Sequence, residues 1–441
     1  MSSPDPVNRA YLNHLDADTR RLAAEAEPPG SKFAGAGEAL ISAVNADIDE
    51  HAEDLRRLVQ SLHQNPETAF EEHRSAAEIV ALLNSYDVHA ERGVYGLETA
   101  IRAEVGSGGP AIAILSEYDA LPEVGHACGH NVIAATGVGA FLSLVRLARS
   151  RPDALPGRVV FLGTPAEEGN SGKEYMAAAG AFDDVDAAIM VHPYGYDVAE
   201  QVWLGRRLLR VTFSGTAAHA SAQPFMGRNA LDAASLAYQA VGVLRQQILP
   251  VDRIHAIITE GGSRPSVIPE SAIMEFYVRS KYPETLKALS ERLNKIVEGA
   301  AMMTGTGCTI EWDDKPPSLP VRTNRALAGR WTIAQQSRGR SPLPLGVVSE
   351  TIAASTDFGN VSFRIPGIHP LIKIAEPDVA LHTRDFADAA GSQAAELGAI
   401  DGASGLACTA LDYLCDEALR NAVHEEFEAS GGAIDVPHYF D

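Results

Sequence analysis

Short apolar runs alternate with amphipathic stretches through the first half of the chain. Apolar residues recur every three to four positions in 40–62, 71–86 and 131–149, a spacing that predicts helices. Compact apolar runs predict strands at 88–92, 97–105, 111–115, 158–162 and 187–191. Short strands that alternate with helices indicate an α/β domain with a mainly parallel sheet.

The pattern changes near residue 205. The elements from there on are a strand at 208–213, a helix at 230–247, strands at 255–259 and 272–278, a helix at 284–302 and a strand at 309–312. This order is typical of a split βαβ, α+β sandwich. We therefore expect an α/β domain in two parts, 1–205 and 319–441, with an inserted α+β lid at 206–318. Residues 1–35 are interpreted as a polar lead-in to the first domain.

Composition adds limits on function. A chain of 441 residues is too long for one core, which agrees with two domains. The formal net charge of −22 argues against a nucleic acid or an anionic membrane as partner. No apolar run approaches the ~20 residues that span a bilayer, and residues 1–20 lack the apolar segment of a secretory signal. The four cysteines form no CxxC pair, so we expect a cytoplasmic protein.

Candidate metal ligands lie at the ends of the predicted strands, where α/β sheets bind their ligands. These donors are Cys128, His130, Glu168, His192 and His382. Thiolate, imidazole and carboxylate groups are the usual ligands of zinc and similar ions. Each donor alone has an ordinary structural explanation, such as a buried thiol, a capping histidine or a solvated acidic turn. Together they suit two transition-metal ions, about 3.5–4 Å apart, that share the thiolate.

Three further residues complete the predicted site. Glu167 precedes Glu168, and neighbours on an extended loop point in different directions, so one carboxylate can ligate while the other acts as a general base. His219 follows a strand on a loop of small residues in the lid and is a candidate oxyanion donor, from its own or a partner subunit. Arg279 ends a strand and is a candidate for gripping a substrate carboxylate. A solvated surface position is the alternative explanation for the last two.

Several motifs now resemble a known family. They are Ser-Glu-Tyr-Asp-Ala-Leu-Pro at 116–122, Gly-His-Ala-Cys-Gly-His-Asn at 125–131, Gly-Thr-Pro-Ala-Glu-Glu at 163–168, Gly-Arg-Asn-Ala-Leu-Asp-Ala at 227–233 and Leu-His-Thr-Arg-Asp-Phe at 381–386. The chain resembles the amidohydrolase branch of the zinc-dependent aminoacylase/carboxypeptidase superfamily over about residues 40–420. Asn131 stands where many branch members have Asp. In this respect the chain is similar to the subgroup of aminobenzoyl-glutamate hydrolases and related dipeptidases.

The resemblance implies a site with two divalent ions, either zinc, manganese or cobalt. Cys128 would bridge them, with the other ligands as given above. It implies Glu167 as the general base and acid, and Asp119 as a residue that orients the site from behind the ligands. Asn229, in the shared lid segment, joins Arg279 as a substrate-binding candidate. It also implies a homodimer formed through the lid.

The implied activity is hydrolysis of the amide bond of a small N-acyl or N-aroyl amino acid, or of a dipeptide-like substrate. Water would be the nucleophile, and the substrate is expected to carry a carboxylate. Two alternatives stay open: the same residues acting as a deaminase on an arylamine, and a metal-binding module without catalysis. Glu167 argues against the module, because a site that only binds has no use for a base.

Overall fold

The computed structural model describes residues 5–441, which divide into two compact units. Unit 1 comprises the chain up to Gln201 together with Arg322–Ile352 and Asn360–Val436. Unit 2 comprises Val202–Val321, Ala353–Gly359 and Pro437–Asp441. The two short segments 353–359 and 437–441 thus group with unit 2, whereas the sequence pattern assigned them to the flanking domain.

The described chain contains thirteen α-helices and twelve β-strands, labelled here in chain order. The helices α1 to α13 are Ala10–Glu25, Glu38–Glu50, Ala52–Gln64, His73–Ser85, His130–Ser150, Gly172–Ala178, Ala230–Leu244, Pro283–Thr304, Arg325–Ser337, Phe358–Ser362, Arg384–Ala390, Gln393–Cys415 and Glu417–Ala429. The strands β1 to β12 are Ala90–Arg92, Ile101–Gly106, Ala111–Ser116, Arg158–Gly163, Ala187–Ile189, His192–Tyr194, Gly205–Ser214, Arg253–Glu260, Ser271–Ser280, Gly307–Trp312, Gly367–Ile368 and Leu371–Lys373.

A six-stranded sheet forms the centre of unit 1, in the order β1-β2-β4-β3-β5-β11. Strand β3 runs parallel to β4 and β5, and β5 runs parallel to β11. Only the β1-β2-β4 edge is antiparallel. Every residue of β3 is buried, because helices cover both faces of a parallel sheet and its strands become continuously apolar. The predicted α/β fold with a mainly parallel sheet is confirmed.

Helix α5 is the central helix of unit 1. By length and composition it is apolar enough to cross a membrane, although the sequence pattern suggested no run of that length. Inside unit 1, however, 89% of its most apolar stretch is buried, so packing in the core explains its composition. Gly139 marks how closely α5 approaches its neighbours, since a Cβ atom there would lie 2.6 Å from Leu55 Cδ1 and 3.0 Å from Ala403 Cβ.

The N-terminal helices differ from the predicted ones. The single helix expected at 40–62 is two helices, α2 and α3, with a break at His51, where φ is −101° and ψ is 10°. The apolar spacing continues across the break because Val44, Ile48 and Leu55 pack into the same core. Helix α1 lies within residues 1–35, which the sequence pattern predicts to be a polar lead-in. Its one buried residue is Thr19, so no buried apolar face marked this helix in the sequence.

Unit 2 is an α+β sandwich with the element order β7-α7-β8-β9-α8-β10, as the sequence pattern predicts. Its four strands lie in the order β10-β7-β9-β8, and all neighbours are antiparallel. Alternate residues of β7 and β9, such as Val211 and Phe276, pack with α7 and α8 in a separate apolar core. Strand β8 lies at one edge of the sheet.

Candidate metal centre

The loop that begins helix α5 carries Cys128 and His130, separated by Gly129. Gly129 has φ of 81°, a left-handed conformation that glycine adopts without strain. A Cβ atom there would also lie only 2.5 Å from Pro193 Cγ. The absence of a side chain at Gly129 therefore lets strand β6 approach the start of α5. This approach brings His192, at the first position of β6, to the thiol, with 3.4 Å between Cys128 Sγ and His192 Nε2.

A loop just before α11 supplies His382. Its backbone is left-handed, with φ of 63°, and its N–H donates to the carbonyl of Ala127 at 2.9 Å. That hydrogen bond holds His382 next to the Cys128 loop. The imidazole is 53% exposed, and its Nε2 lies 3.4 Å from Glu168 Oε1.

All five predicted ligands, and Glu167, lie in one cluster within unit 1. Three overlapping groups each have one donor atom per residue within 4.8 Å of the others. They are Cys128 with His130 and His192, Cys128 with Glu168 and His382, and His130 with Glu167 and Glu168. The sequence predicted that these loops converge, and the structure brings them together.

Hydrogen bonds at Nδ1 orient two of the imidazoles so that Nε2 faces the cluster. His130 Nδ1 lies 2.9 Å from the buried carboxylate of Asp119, and His192 Nδ1 lies 2.7 Å from the carbonyl of Pro193. With a cation bound, each Nδ1 would keep its proton and each Nε2 would direct its lone pair inward. In the metal-free cluster burial opposes a charged His130, but Asp119 and Glu117 outweigh burial and raise the pKa of His130 well above its usual range. Within residues 5–441, neither His130 Nε2 nor Glu168 Oε1 makes a hydrogen bond of normal geometry, although both are buried and each has a charged or imidazole group 3.4–3.5 Å away. Buried polar atoms are rarely left so, and this donor set fits divalent metal ions.

The electrostatics of the cluster favour a bound cation. Burial and the carboxylate of Glu168 raise the pKa of the Cys128 thiol well above its usual range, so its thiolate requires positive charge beside it. Burial and His130 lower the pKa of His192 to about 4, which keeps its imidazole neutral, the form that binds metals. Burial opposes ionisation of Glu168, but the neighbouring imidazoles of His382 and His130 outweigh it and lower the pKa of Glu168.

Glu167 and Glu168 follow strand β4 on a tight turn. Ala166 before them has φ of 60°, and Glu168 begins a hydrogen-bonded turn. The sequence predicted an extended loop on which the two carboxylates point in different directions, and the structure does not send them to separate places. Instead, Glu167 Oε2 and Glu168 Oε1 each lie 3.9 Å from His130 Nε2. Both side chains are 12% exposed.

Sequence reasoning missed a buried ion pair beneath the cluster. Lys173 on α6 and Glu117 after β3 have fully buried side chains, and Lys173 Nζ donates to Glu117 Oε1. The other oxygen, Glu117 Oε2, lies 3.5 Å from His130 Nε2. Glu117 was detectable because, like Asp119, it follows strand β3 at the ligand-binding edge of the sheet. Lys173 gave no such signal, because a lysine at the start of a helix is usually solvated.

The remaining predicted residues belong to unit 2. His219 is exposed, and its Nδ1 accepts the N–H groups of Ser221 at 3.3 Å and Ala222 at 3.2 Å. Its proton is therefore on Nε2. Asn229 begins α7 as its N-cap, with Oδ1 accepting the N–H of Leu231 at 3.0 Å.

Arg279 lies near the end of strand β9, on the face of the sheet where it covers the ring of Tyr277 at 4.9 Å. Arg206 and Arg253 are its cross-strand partners on β7 and β8, so three arginine residues occupy one cross-strand row of the sheet. Burial and the charge of Arg206 lower the pKa of Arg279. A row of like charges of this kind favours the binding of an anion.

Fold and site together define a hydrolase with a buried cluster of metal-ligand residues at the ends of a parallel sheet. The model of peptidase family M20/M25/M40 matches residues 113–391, and the chain belongs to this family. The chain is 39% identical to a Xaa-Arg dipeptidase of Mus musculus over 411 residues, covering 91% of this chain and 95% of the relative. It is 28% identical to a p-aminobenzoyl-glutamate hydrolase protein of Escherichia coli, covering 88% of this chain and 93% of that protein.

Two solved structures share the fold. The YXEP protein of Bacillus subtilis, described as a dinuclear metal-binding peptidase of the M20 family, superimposes with a TM-score of 0.62 at 23% identity, covering 81% of this chain and 99% of that one. The aminobenzoyl-glutamate utilization protein of Klebsiella pneumoniae superimposes with a TM-score of 0.63 at 19% identity, covering 83% and 98%. The family match and the two relatives confirm the resemblance found in the sequence, and with it a hydrolytic enzyme that acts on amide bonds.

Proposed function

We propose that this chain hydrolyses the amide bond of a small dipeptide-like or N-acyl amino acid substrate with the help of two divalent metal ions. The observation that carries the proposal is the convergence of five ligand-type side chains from four loops, with Glu167 next to two of them, His130 and Glu168. The names of the Xaa-Arg dipeptidase and the aminobenzoyl-glutamate hydrolase support the substrate class.

The residues that would hold the two ions are Cys128, as the ligand common to both, and His130, Glu168, His192 and His382. The dinuclear peptidase of Bacillus subtilis supports the number of ions, and zinc, manganese and cobalt all suit sulfur, nitrogen and oxygen donors. Bound ions of this kind would polarise the scissile carbonyl and lower the pKa of an attacking water. Asp119 holds His130 in the required tautomer through the 2.9 Å contact with Nδ1.

Glu167 is the general base and acid of this proposal. Its carboxylate lies within the cluster, 3.9 Å from His130 Nε2, and is only 12% exposed. It accepts a proton from the attacking water and delivers that proton to the leaving nitrogen when the C–N bond breaks. A single carboxylate can serve both steps because the proton it gains in the first is the one it gives up in the second.

In this proposal three side chains of unit 2 take part in binding. His219 has its proton on Nε2, since Nδ1 accepts two backbone N–H groups, and Nε2–H is the donor for the oxyanion. Arg279 grips the substrate carboxylate, supported by its place in a row of three arginines. Asn229 uses Oδ1 to cap α7, so its contact with substrate is made through Nδ2.

The homodimer expected from the sequence forms, in this proposal, through unit 2. Edge strand β8 exposes Ile257 (60%) and Ile258 (39%), and α7 exposes Val243 (64%). An unpaired, apolar sheet edge is a favourable place for a second copy of the strand to pair. Sedimentation of the purified protein, compared with an Ile257→Lys variant, tests this contact.

The decisive experiment is a substrate panel on metal-loaded enzyme. Metal-free protein is loaded in turn with Zn²⁺, Mn²⁺ or Co²⁺ and assayed on Xaa-Arg, β-alanyl, benzoyl and aminobenzoyl amino acids. We expect release of the free amino acid, and a Glu167→Ala variant should bind the same metal but lose turnover by about 10²–10⁴-fold. Release of ammonia from an arylamine instead would favour the deaminase. Normal turnover of Glu167→Ala would remove Glu167 as the base.

A further inference from the structure

The turn that aims Glu167 depends on an unusual backbone conformation. Ala166 has φ of 60°, in the left-handed region that residues other than glycine rarely adopt. An alanine keeps this conformation only where surrounding contacts impose it. The contacts that hold Ala166 in this conformation therefore also determine where the carboxylate of Glu167 lies.

Two hydrogen bonds hold the backbone of Ala166: its carbonyl accepts the N–H of Gly172 at 3.0 Å, and its own N–H donates to the side chain of Glu72. This glutamate directly precedes helix α4, and it is completely buried. Its Oε1 accepts the N–H of Ala166 at 2.9 Å and the N–H of Phe70 at 3.0 Å. Its Oε2 accepts the hydroxyl of Thr99 at 2.8 Å. Both backbone donors to Oε1 belong to left-handed residues, since Phe70 has φ of 67°.

A second buried carboxylate holds the other side of Glu167. Asp119 Oδ2 accepts the N–H of Glu168 at 2.9 Å. The backbone on both sides of the base is thus fixed by acids that lie outside the turn. Asp119 also contacts His130, whereas the hydrogen bonds of the Glu72 carboxylate go to the turn and two neighbouring segments.

We propose that Glu72 is a positioning residue for the general base: by accepting the N–H of Ala166, it holds the left-handed turn that directs the Glu167 carboxylate into the cluster. The proposal rests on the function proposed above for Glu167. Glu72 does not touch substrate or ligands, and it acts only through the geometry of the turn.

The test compares variants of the full-length, metal-loaded enzyme. Glu72→Met has nearly the same shape but no acceptor, and we expect kcat to fall about 10–100-fold while KM and metal content stay constant. Glu72→Gln keeps the acceptor and should stay within about threefold of wild type, a range set by the retained contact. Thr99→Val removes only the contact to Oε2 and should leave kcat close to wild type.

Rescue by glycine separates positioning from general stability. Glycine adopts positive φ without strain, so Glu72→Met combined with Ala166→Gly should recover part of the lost kcat. Glu72→Met combined with Phe70→Gly should not, although Phe70 donates to the same oxygen. Equal rescue by both glycines, or a wild-type kcat in Glu72→Met, would overturn the proposal.

Two further measurements keep the result decisive. If Glu72→Met does not fold, Glu72→Asp retains the charge but withdraws the acceptor. It should lower kcat at constant KM, and an unchanged kcat would refute the role. Hydrogen exchange of the segment 164–171 requires no substrate: Glu72→Met should accelerate it and Thr99→Val should not. If wild-type enzyme cleaves nothing in the panel, the proposed function fails, while the exchange measurement still decides the role of Glu72 in the turn.

Discussion

His130 and Asp119 form a buried pair in which the imidazole Nδ1–H faces the carboxylate at 2.9 Å and Nε2 faces the ligand cluster. Burial opposes ionisation of Asp119, but the charge and the hydrogen bond of His130 outweigh it and lower the pKa of Asp119. The acid is therefore an anion that fixes which imidazole nitrogen is available. The pair determines the direction of one predicted metal ligand.

Replacing Asp119 by Asn should weaken metal binding. An amide can donate to Nδ1 and so favour the wrong tautomer, and losses of this kind typically cost 10–100-fold in metal affinity. Competition with a chelator measures the affinity directly. Asp153→Asn, at an exposed position, is the matched control. Equal affinities of the wild-type and Asp119→Asn proteins would contradict this role.

Replacing Cys128 by Ala should remove the shared ligand. We expect elemental analysis to show clearly fewer than two ions per chain, while the fold is kept because an alanine fits the buried position. Cys408→Ala is a suitable control, since Cys408 is also buried but lies on α12, outside the cluster. Full metal occupancy in Cys128→Ala would rule out the bridging role.

The Lys173–Glu117 pair makes a prediction about stability. Lys173→Met would leave the carboxylate of Glu117 buried without its cation, and breaking a buried pair in this way typically costs about 3–5 kcal/mol. The double change Lys173→Met with Glu117→Gln removes both charges and should restore most of that loss. Urea unfolding of metal-free protein measures both values. A double variant no more stable than Lys173→Met would show that charge is not the cause.

Glu72 makes a prediction about pH. Burial and the nearby charge of Asp119 raise the pKa of Glu72 to about 7, against an ordinary value of 4.5. The folded protein therefore binds the proton more tightly than the unfolded chain, so this group makes the wild type lose stability as pH rises from about 4.5 to 7. A neutral Glu72→Gln variant lacks this loss. The stability difference should shift in favour of the variant by about 2–3 kcal/mol between pH 5 and pH 8, as measured by urea unfolding without metal. A difference that does not change with pH would contradict the raised pKa.

Much of the site was visible in the sequence because its residues follow strands. Cys128, Glu168 and His192 each come after an apolar run, and a parallel sheet brings such positions to one edge. Asp119 was recognisable on the same ground. Local patterns and the geometry of the sheet were sufficient for this part of the site.

Other features depend on contacts that no local pattern encodes. Glu72 was assigned to a helix, and its carboxylate acquires a role only through Ala166, which is 94 residues away. Lys173 becomes a buried partner of Glu117 only after α6 packs. The break at His51 was hidden because the residues on both sides pack into one core. Left-handed alanine at 166 gave no signal, since glycine is the usual residue there.

The van der Waals approach of Gly129 to Pro193 has a consequence for assembly. Cys128 and His192 are the sequence neighbours of this glycine and this proline, so the close approach of the two segments brings the thiol and the imidazole together. Packing of the chain thus brings together Cys128 and His192, two of the five candidate ligands. Metal binding would then be a late and reversible step on an already folded chain. Removal of the ions should therefore leave unit 1 folded.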